Sequence, residues 1–436
     1  MEERRRLAPS KVWGTALAIL LTGAAGVARA QAADTPPPAA PATPPEAPPP
    51  PPPVVVAPPP ATPPAAVATE AKPPTSTEAM PATRPDVLPP IDVGAWLRVG
   101  GKFQGQDPKK VNDWQMDQAY VELHAGGKIT KTVGVTLNLN ANMAGYGTPG
   151  ANTGVAIEDA IISFDFMDEF HLWAGRLLVP VDRANAAGPF FMIPWNYPGF
   201  FAAGNGYVGA PAEGPSGRNN GMVLWGDIAG GKFSYFAGVF DNGNFTGAST
   251  PPNPPTSGSP LFSGKLRLAL LDPEPGFWGN ASYFGDKDVL SFDVGGQVQG
   301  TQGLPAGSKT YGEVNVDALL EKKLGGGSFF TAEAAYYHYN VGDGGVSDSL
   351  YALAAYATPT VGVGNIQPMV RYQWEKVKNV SGTSPWNVDV GVSYLIKGPA
   401  LRLLATYSYT NLGPVGGGGS NPTANSIQLG AQAIFF

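Results

Sequence analysis

No cysteine occurs among the 436 residues, so no disulfide can be mispaired in an oxidising compartment, although that absence alone names no compartment. Charge is also scarce: Asp, Glu, Lys and Arg make up 14% of the chain, against about a quarter in an average soluble domain. Polarity comes instead from Asn, Gln, Ser, Thr and 57 glycines. The net charge of -6 argues against a nucleic-acid partner, which calls for a basic surface. Histidine is rare, and His124, His171 and His338 stand singly with no two at metal-ligand spacing. No serine sits at a strand-to-helix elbow and no glycine-rich phosphate loop precedes a helix, so neither catalysis nor a cofactor is expected. Beyond residue 30 there is no run of ~18 apolar residues, which excludes helical membrane spans.

What is present begins with a leader. Arg4, Arg5, Arg6 and Lys11 precede an apolar stretch from Val12 to Val27, and Ala28-Arg29-Ala30 supplies a small-x-small cleavage pattern. Residues 1–30 are therefore expected to be a secretory signal peptide that leaves Gln31 as the new terminus. The competing reading, an anchor helix, is disfavoured by the short, glycine-interrupted stretch. Residues 31–90 are almost wholly Pro, Ala and Thr, including the run Pro48 to Pro53. Such a segment buries no core and extends as polyproline II, so a disordered periplasmic linker is expected. A plain tether is preferred over a periplasmic partner contact.

After Pro90 the texture changes to alternation of period two. Val133, Val135, Leu137, Leu139 and Ala141 are apolar, while Thr136, Asn138 and Asn140 lie between them. Val388, Val390, Val392 and Tyr394 likewise alternate with Asn387, Asp389, Gly391 and Ser393. Successive strand side chains point to opposite faces, so each segment has one apolar and one wet face. Many segments exceed the ~5–6 residues of soluble strands and suit a tilted membrane crossing. In lipid an open sheet leaves its edge groups unsatisfied, so the sheet must close. An all-β, transmembrane antiparallel barrel over 91–436 is the expected fold, with outer-membrane lipid around it in a Gram-negative bacterium.

Strand number follows from the rhythm of the connections, which are short on the periplasmic side and longer outside. Short ones fall at Gly126-Gly127-Lys128, Phe166-Met167-Asp168, Ala229-Gly230-Gly231, Leu324-Gly325-Gly326-Gly327 and Lys397-Gly398-Pro399. The aromatic stretch from Gly276 to Asp286 resembles a further strand, but counting it would invert every later connection. Asp272 to Asp286 is therefore read as a long periplasmic connection, which leaves sixteen strands and an interior wide enough for water. Passive diffusion of small hydrophilic solutes or ions is the function expected of such a channel. The final segment, Ile427 to Phe436, ends on an aromatic as outer-membrane proteins typically do, although the apolar register runs through Phe435.

Two motifs carry a family resemblance. Ile157-Glu158-Asp159-Ala160 continues into Ile161-Ile162-Ser163-Phe164, and Leu172-Trp173-Ala174-Gly175-Arg176 leads into Leu177-Leu178-Val179-Pro180. Over 91–436 the chain resembles the bacterial general porins, most of all the phosphate-selective porin O/P-like group. The resemblance implies a sixteen-stranded homotrimer whose third outer loop folds inward, and an anion- or phosphate-type channel as the alternative function. The arginine ladder and lysine cluster of that group find no match here, so its substrate does not carry over.

The longest loop, from Val179 to Asn220, is the candidate constriction. Its aromatics, among them Phe190, Trp195, Tyr197 and Phe200, are unlike a disordered tail and need a surface to pack on. Arg176 at its entrance and Asp182, Arg183, Trp195, Tyr197, Glu213 and Arg218 within it are expected at the narrowing. Arg98, Lys102, Lys265, Arg267, Glu313, Asp317, Arg371 and Arg402 occupy wet faces and are expected to line the pore, where a low-dielectric wall focuses their field. Pairing across strands is the competing expectation for any one of them. His171 shares a face with Trp173 and is expected at the lipid interface. The runner-up class, a barrel hydrolase, would need His, Asp and Ser gathered at the rim, and an adhesin would need larger outer loops.

Overall fold

The computed structural model describes residues 90–107, 111–142, 155–198, 217–241, 258–300, 302, 310–340, 346–378, 384–411 and 423–435. The expected leader, all but the last residue of the expected linker, and Glu213 lie outside them. Sixteen strands follow in chain order. The first eight are β1 Asp92–Asp107, β2 Val111–Lys128, β3 Val133–Asn142, β4 Val155–Met167, β5 Phe170–Leu178, β6 Arg218–Ile228, β7 Phe233–Phe240 and β8 Leu261–Ala269. The second eight are β9 Val289–Gln299, β10 Tyr311–Gly325, β11 Ser328–Tyr339, β12 Val346–Ala357, β13 Asn365–Val377, β14 Trp386–Leu395, β15 Leu401–Asn411 and β16 Thr423–Phe435. Each pairs antiparallel with its neighbours in the chain, and β1 pairs with β16 from Ala95↔Phe435 to Asp107↔Thr423, which closes the barrel. Closure leaves no strand edge unpaired.

The two faces are sorted as the alternation requires. On β10, Val314 and Val316 are 58% and 49% exposed, while Glu313, Asn315 and Asp317 between them are buried. On β9, Phe292, Val294 and Val298 are exposed and Ser291, Asp293 and Gln297 are buried. A water-soluble sheet would show the reverse. Side chains of one face are apolar and open to the surroundings, as lipid contact demands. The other face is polar and nevertheless buried, so something in the molecule must cover it.

Most connections fall where expected, but Gly126-Gly127-Lys128 belong to β2 and pair with β3, so that turn falls at 129–132. Between β10 and β11, Gly325, Gly326 and Gly327 take φ of 90°, 62° and 78°, a left-handed path that a β-carbon would strain. The span between Ala269 and Val289 joins β8 to β9 and contributes no strand, so the barrel holds sixteen.

Candidate functional site

The cover over the polar face starts where β5 ends. After Val179-Pro180-Val181, Asp182 caps a single helical turn, α1 (Arg183–Ala187), by accepting from the backbone N–H of Asn185 at 2.7 Å. Arg183 is fully buried and uses its whole fork. It donates to both carboxylate oxygens of Glu274 (2.8 and 3.1 Å), to Asp293 (2.9 Å), to Asp317 (3.2 Å) and to Ser291 (2.6 Å). Its backbone N–H also reaches Asp317. Burial alone would raise the Glu274 carboxyl, but the Arg183 charge and hydrogen bonds beside it win and hold it at about 2, so this bridge is ionic. Burial pushes Asp182 the other way, up to about 7.

From α1 the segment runs on past strands far from β5. Ala184 packs with Ala335, Tyr337 and Tyr351, and Ile193 with Leu353, Ala355 and Met369. Four wet-face side chains then hold its main chain. Arg371 donates to the carbonyl of Asn196 (2.7 Å) and Arg402 to that of Met192 (2.7 Å). Gln432 donates to Phe190 (3.0 Å) and Arg98 to Trp195 (2.5 Å). One connection is therefore tied to β1, β9, β10, β13, β15 and β16. Trp195 ends in a slot made by two paired glycines, Gly100 on β1 and Gly430 on β16. A β-carbon on Gly430 would lie 2.5 to 2.8 Å from the indole ring, and one on Gly100 would lie 2.9 Å from it. Arg98 also packs on this ring, its guanidinium 3.8 Å from the ring centre.

The β8–β9 connection is the second part of the cover. Besides Glu274 it supplies Phe277, which packs with Trp173, Trp225 and Phe236 on wet faces of β5, β6 and β7. Glu321 anchors its far end by accepting from Ser282, Tyr283 and Gly285. Sequence reasoning kept this span out of the strand count but gave it no role. Its aromatics carry the same signal as those of the longer loop: they need a surface to pack on.

An open cavity of about 720 Å³ lies between β1–β4, α1 with the residues after it, and the β8–β9 connection. Glu122 and Glu158 line it, bridged by Tyr120, whose hydroxyl lies 3.5 and 3.3 Å from their carboxylates. Glu158 owes its place to an irregularity. The register shifts between Asn138↔Asp159 and Leu139↔Ile157, so Glu158 is an extra residue and both acids turn to the buried face. Alternation read from sequence cannot reveal that, and Glu158 was missed. Arg218 bonds both, at 3.3 Å to Glu158 and 3.1 Å to Asp159.

The remaining expected residues fall as follows. Arg98, Lys265, Arg267, Arg371 and Arg402 lie on the expected face, but at 0–4% exposure their charged ends are taken by the loop and by carboxylates rather than presented to open water. Lys265 and Arg267 both lean on Asp293, at 3.8 and 3.4 Å. Arg371 also holds Asp389 at 2.8 Å. Asp317 belongs to the Arg183 hub, whereas Glu313 accepts from Gln297, Tyr311 and Asn315. Lys102 is half-buried on the face of Arg98, and Tyr197 packs against Ala187, Met192 and Ala281. Arg176 corrects its expectation. It shares the face of Leu172 and Ala174, opposite Trp173, and its Nε donates to the carbonyl of Ile157, so it springs from the face opposite the polar one. His171 is also corrected: it is not at a lipid interface. It stacks on Trp225 at 3.9 Å and lies 2.8 Å from Asp165, which also accepts from Trp173 on the polar face.

The closed sixteen-stranded barrel is the fold of the bacterial outer-membrane porins. Among solved structures it is similar to OprB from Pseudomonas putida (TM-score 0.56, 11% identity, 79% of this chain and 94% of that one). An anion-selective porin from Comamonas acidovorans has a TM-score of 0.52 at 12% identity, covering 79% and 99%. The outer membrane channel DcaP of Acinetobacter baumannii has 0.52 at 12%, covering 79% and 97%. No family model and no curated protein matches the chain in sequence.

Proposed function

We propose that the chain is an outer-membrane channel for passive diffusion of small hydrophilic solutes or ions. In this reading residues 179–198 fold into the lumen and, with the β8–β9 connection, set the width of the opening. The observation that carries it is the reach of that one loop, from β5 to Arg98, Asp317, Arg371 and Arg402 on strands all round a closed sheet. A segment that bonds wet-face side chains on distant strands crosses the space they enclose. Residues 1–30 are then an export signal, 31–90 a periplasmic tether, and the apolar outer face meets lipid and the partner subunits of a homotrimer. The likeness to porins and channels supports the same class. Phosphate selectivity is not part of the proposal, because the wall arginines are engaged with the loop.

Swelling of proteoliposomes in sugars of graded size tests this. Monosaccharides should enter rapidly and large oligosaccharides should not, with a cut-off below that of an unobstructed sixteen-stranded barrel. Liposomes that fail to swell in any sugar would contradict the proposal, and hydrolysis of lipid or peptide by the same preparation would favour the hydrolase reading.

A further inference from the structure

The charges around the opening are divided by side. Basic side chains of β8, β13, β15 and β1 are spent on the loop and on the wall carboxylates Asp293 and Asp389, and none of Arg98, Lys265, Arg267, Arg371 or Arg402 lines the cavity. The acids of the opposite wall are different. Asp92, Glu122 and Glu158 all line it, and among the described residues two basic ones line it with them: Arg218, shared between Glu158 and the buried Asp159, and His124, whose Nε2 lies 3.2 Å from Glu122. Counting Asp159 with its partner, four carboxylates face one guanidinium and one imidazole. A narrow passage in a low-dielectric wall concentrates ions of the sign opposite to its lining.

Aromatic rings share that cavity. Trp96, Phe191 and Trp278 line it, and Trp278 is 38% exposed although it sits among packed aromatics. This lumen already pairs flat rings with cations: Arg218 lies over Trp278 at 5.5 Å and Arg98 over Trp195 at 3.8 Å. A ring face attracts ammonium and guanidinium groups and repels anions.

We infer that the opening favours cations over anions and retains small organic cations with a flat apolar body, held between the Glu122–Glu158 pair and the Trp96 and Trp278 rings. This rests on the channel reading above. It also separates the chain from the anion-selective porin whose fold it shares.

Planar bilayers holding the full chain provide the test, with a potassium chloride gradient and two blockers of matched body, benzyltrimethylammonium and benzenesulfonate. The reversal potential should show potassium several-fold more permeant than chloride. Benzyltrimethylammonium should lower the current at concentrations where benzenesulfonate does not. The double change Glu122→Gln and Glu158→Gln should bring the permeability ratio to near unity. Trp278→Ala should weaken the block several-fold while channels still open, which separates loss of the site from loss of the fold. Chloride preference, or equal block by the two probes, overturns the inference and leaves the channel standing. Absence of conductance steps overturns the channel reading and this inference with it.

Discussion

Arg183→Met should unseat the loop without unfolding the barrel. Its guanidinium is the shared partner of Glu274, Asp293 and Asp317, all buried. Removing one member of a buried ionic group leaves the others uncompensated and typically costs about 3–5 kcal/mol. Lys265 and Arg267 relieve Asp293 only in part, because they stand off at 3.8 and 3.4 Å. None of the sixteen strand ladders uses the Arg183 side chain, so the expected loss falls on the loop. Thermal unfolding of the purified barrel should shift little, whereas cleavage by protease between 183 and 198 should become rapid and single-channel current should flicker and rise. Arg183→Lys should give an intermediate result, since one ammonium cannot reproduce the planar fork. Loop protection equal to wild type in Arg183→Met would refute the hub. Acid provides a companion measurement. Glu274, held at about 2 against an ordinary 4.5, adds stability in full above the ordinary value and loses it as pH falls through about 2. Through this bridge the loop stays seated from neutral pH into the ordinary carboxylate range and loosens only in stronger acid.

Gly430→Val should act on the same loop from its other end. The Trp195 ring fills the space where a Gly430 side chain would stand, and the Arg98 guanidinium is stacked on the same ring. Overpacking of this kind costs typically about 1–3 kcal/mol, and it is relieved here only by expelling the indole. Single-channel conductance should rise, and Gly100→Ala should do the same to a smaller extent, its β-carbon meeting both the ring and the Leu429 carbonyl at 2.9 Å. The decisive control is the pair: in a Trp195→Ala background, Gly430→Val should have little further effect, the non-additivity expected of residues in contact. Additive effects would mean that the slot does not hold the ring.

The barrel itself was largely legible from the sequence. A lipid-facing strand must alternate apolar and polar residues along its whole length, so segments expected near 261–271 and 424–436 are found as Leu261–Ala269 and Thr423–Phe435. The parity of short and long connections also kept Asp272 to Asp286 out of the strand count. Aromatic residues marked the long loop as packed, and Arg183, Trp195 and Arg218 were singled out within it. What could not be read is what those residues touch. Arg183 meets Glu274 and Asp293 across some ninety and more positions of sequence, and no periodicity relates them. Gly100 and Gly430 come from opposite ends of the chain and form a slot only because β1 closes on β16. Glu158 is turned to the polar face by a one-residue register shift, and Arg176 faces the other way by simple parity, which the motif around it concealed. The wall arginines were read as wet-face residues, and the structure buries them among the polar residues of that face. Their engagement with loop carbonyls depends on the path of residues 192–196, which strand patterns do not encode.

The most direct test of the proposal that this loop folds into the lumen is single-channel conductance in planar bilayers of a chain lacking Gly188 to Gly214, compared with the intact chain. With Phe190, Met192, Ile193 and Trp195 gone, Arg98, Arg371, Arg402 and Gln432 lose the main chain they hold, and water takes that space. Current several-fold above the intact channel is the predicted result. A deletion that folds, inserts and conducts no more than the intact chain would contradict it.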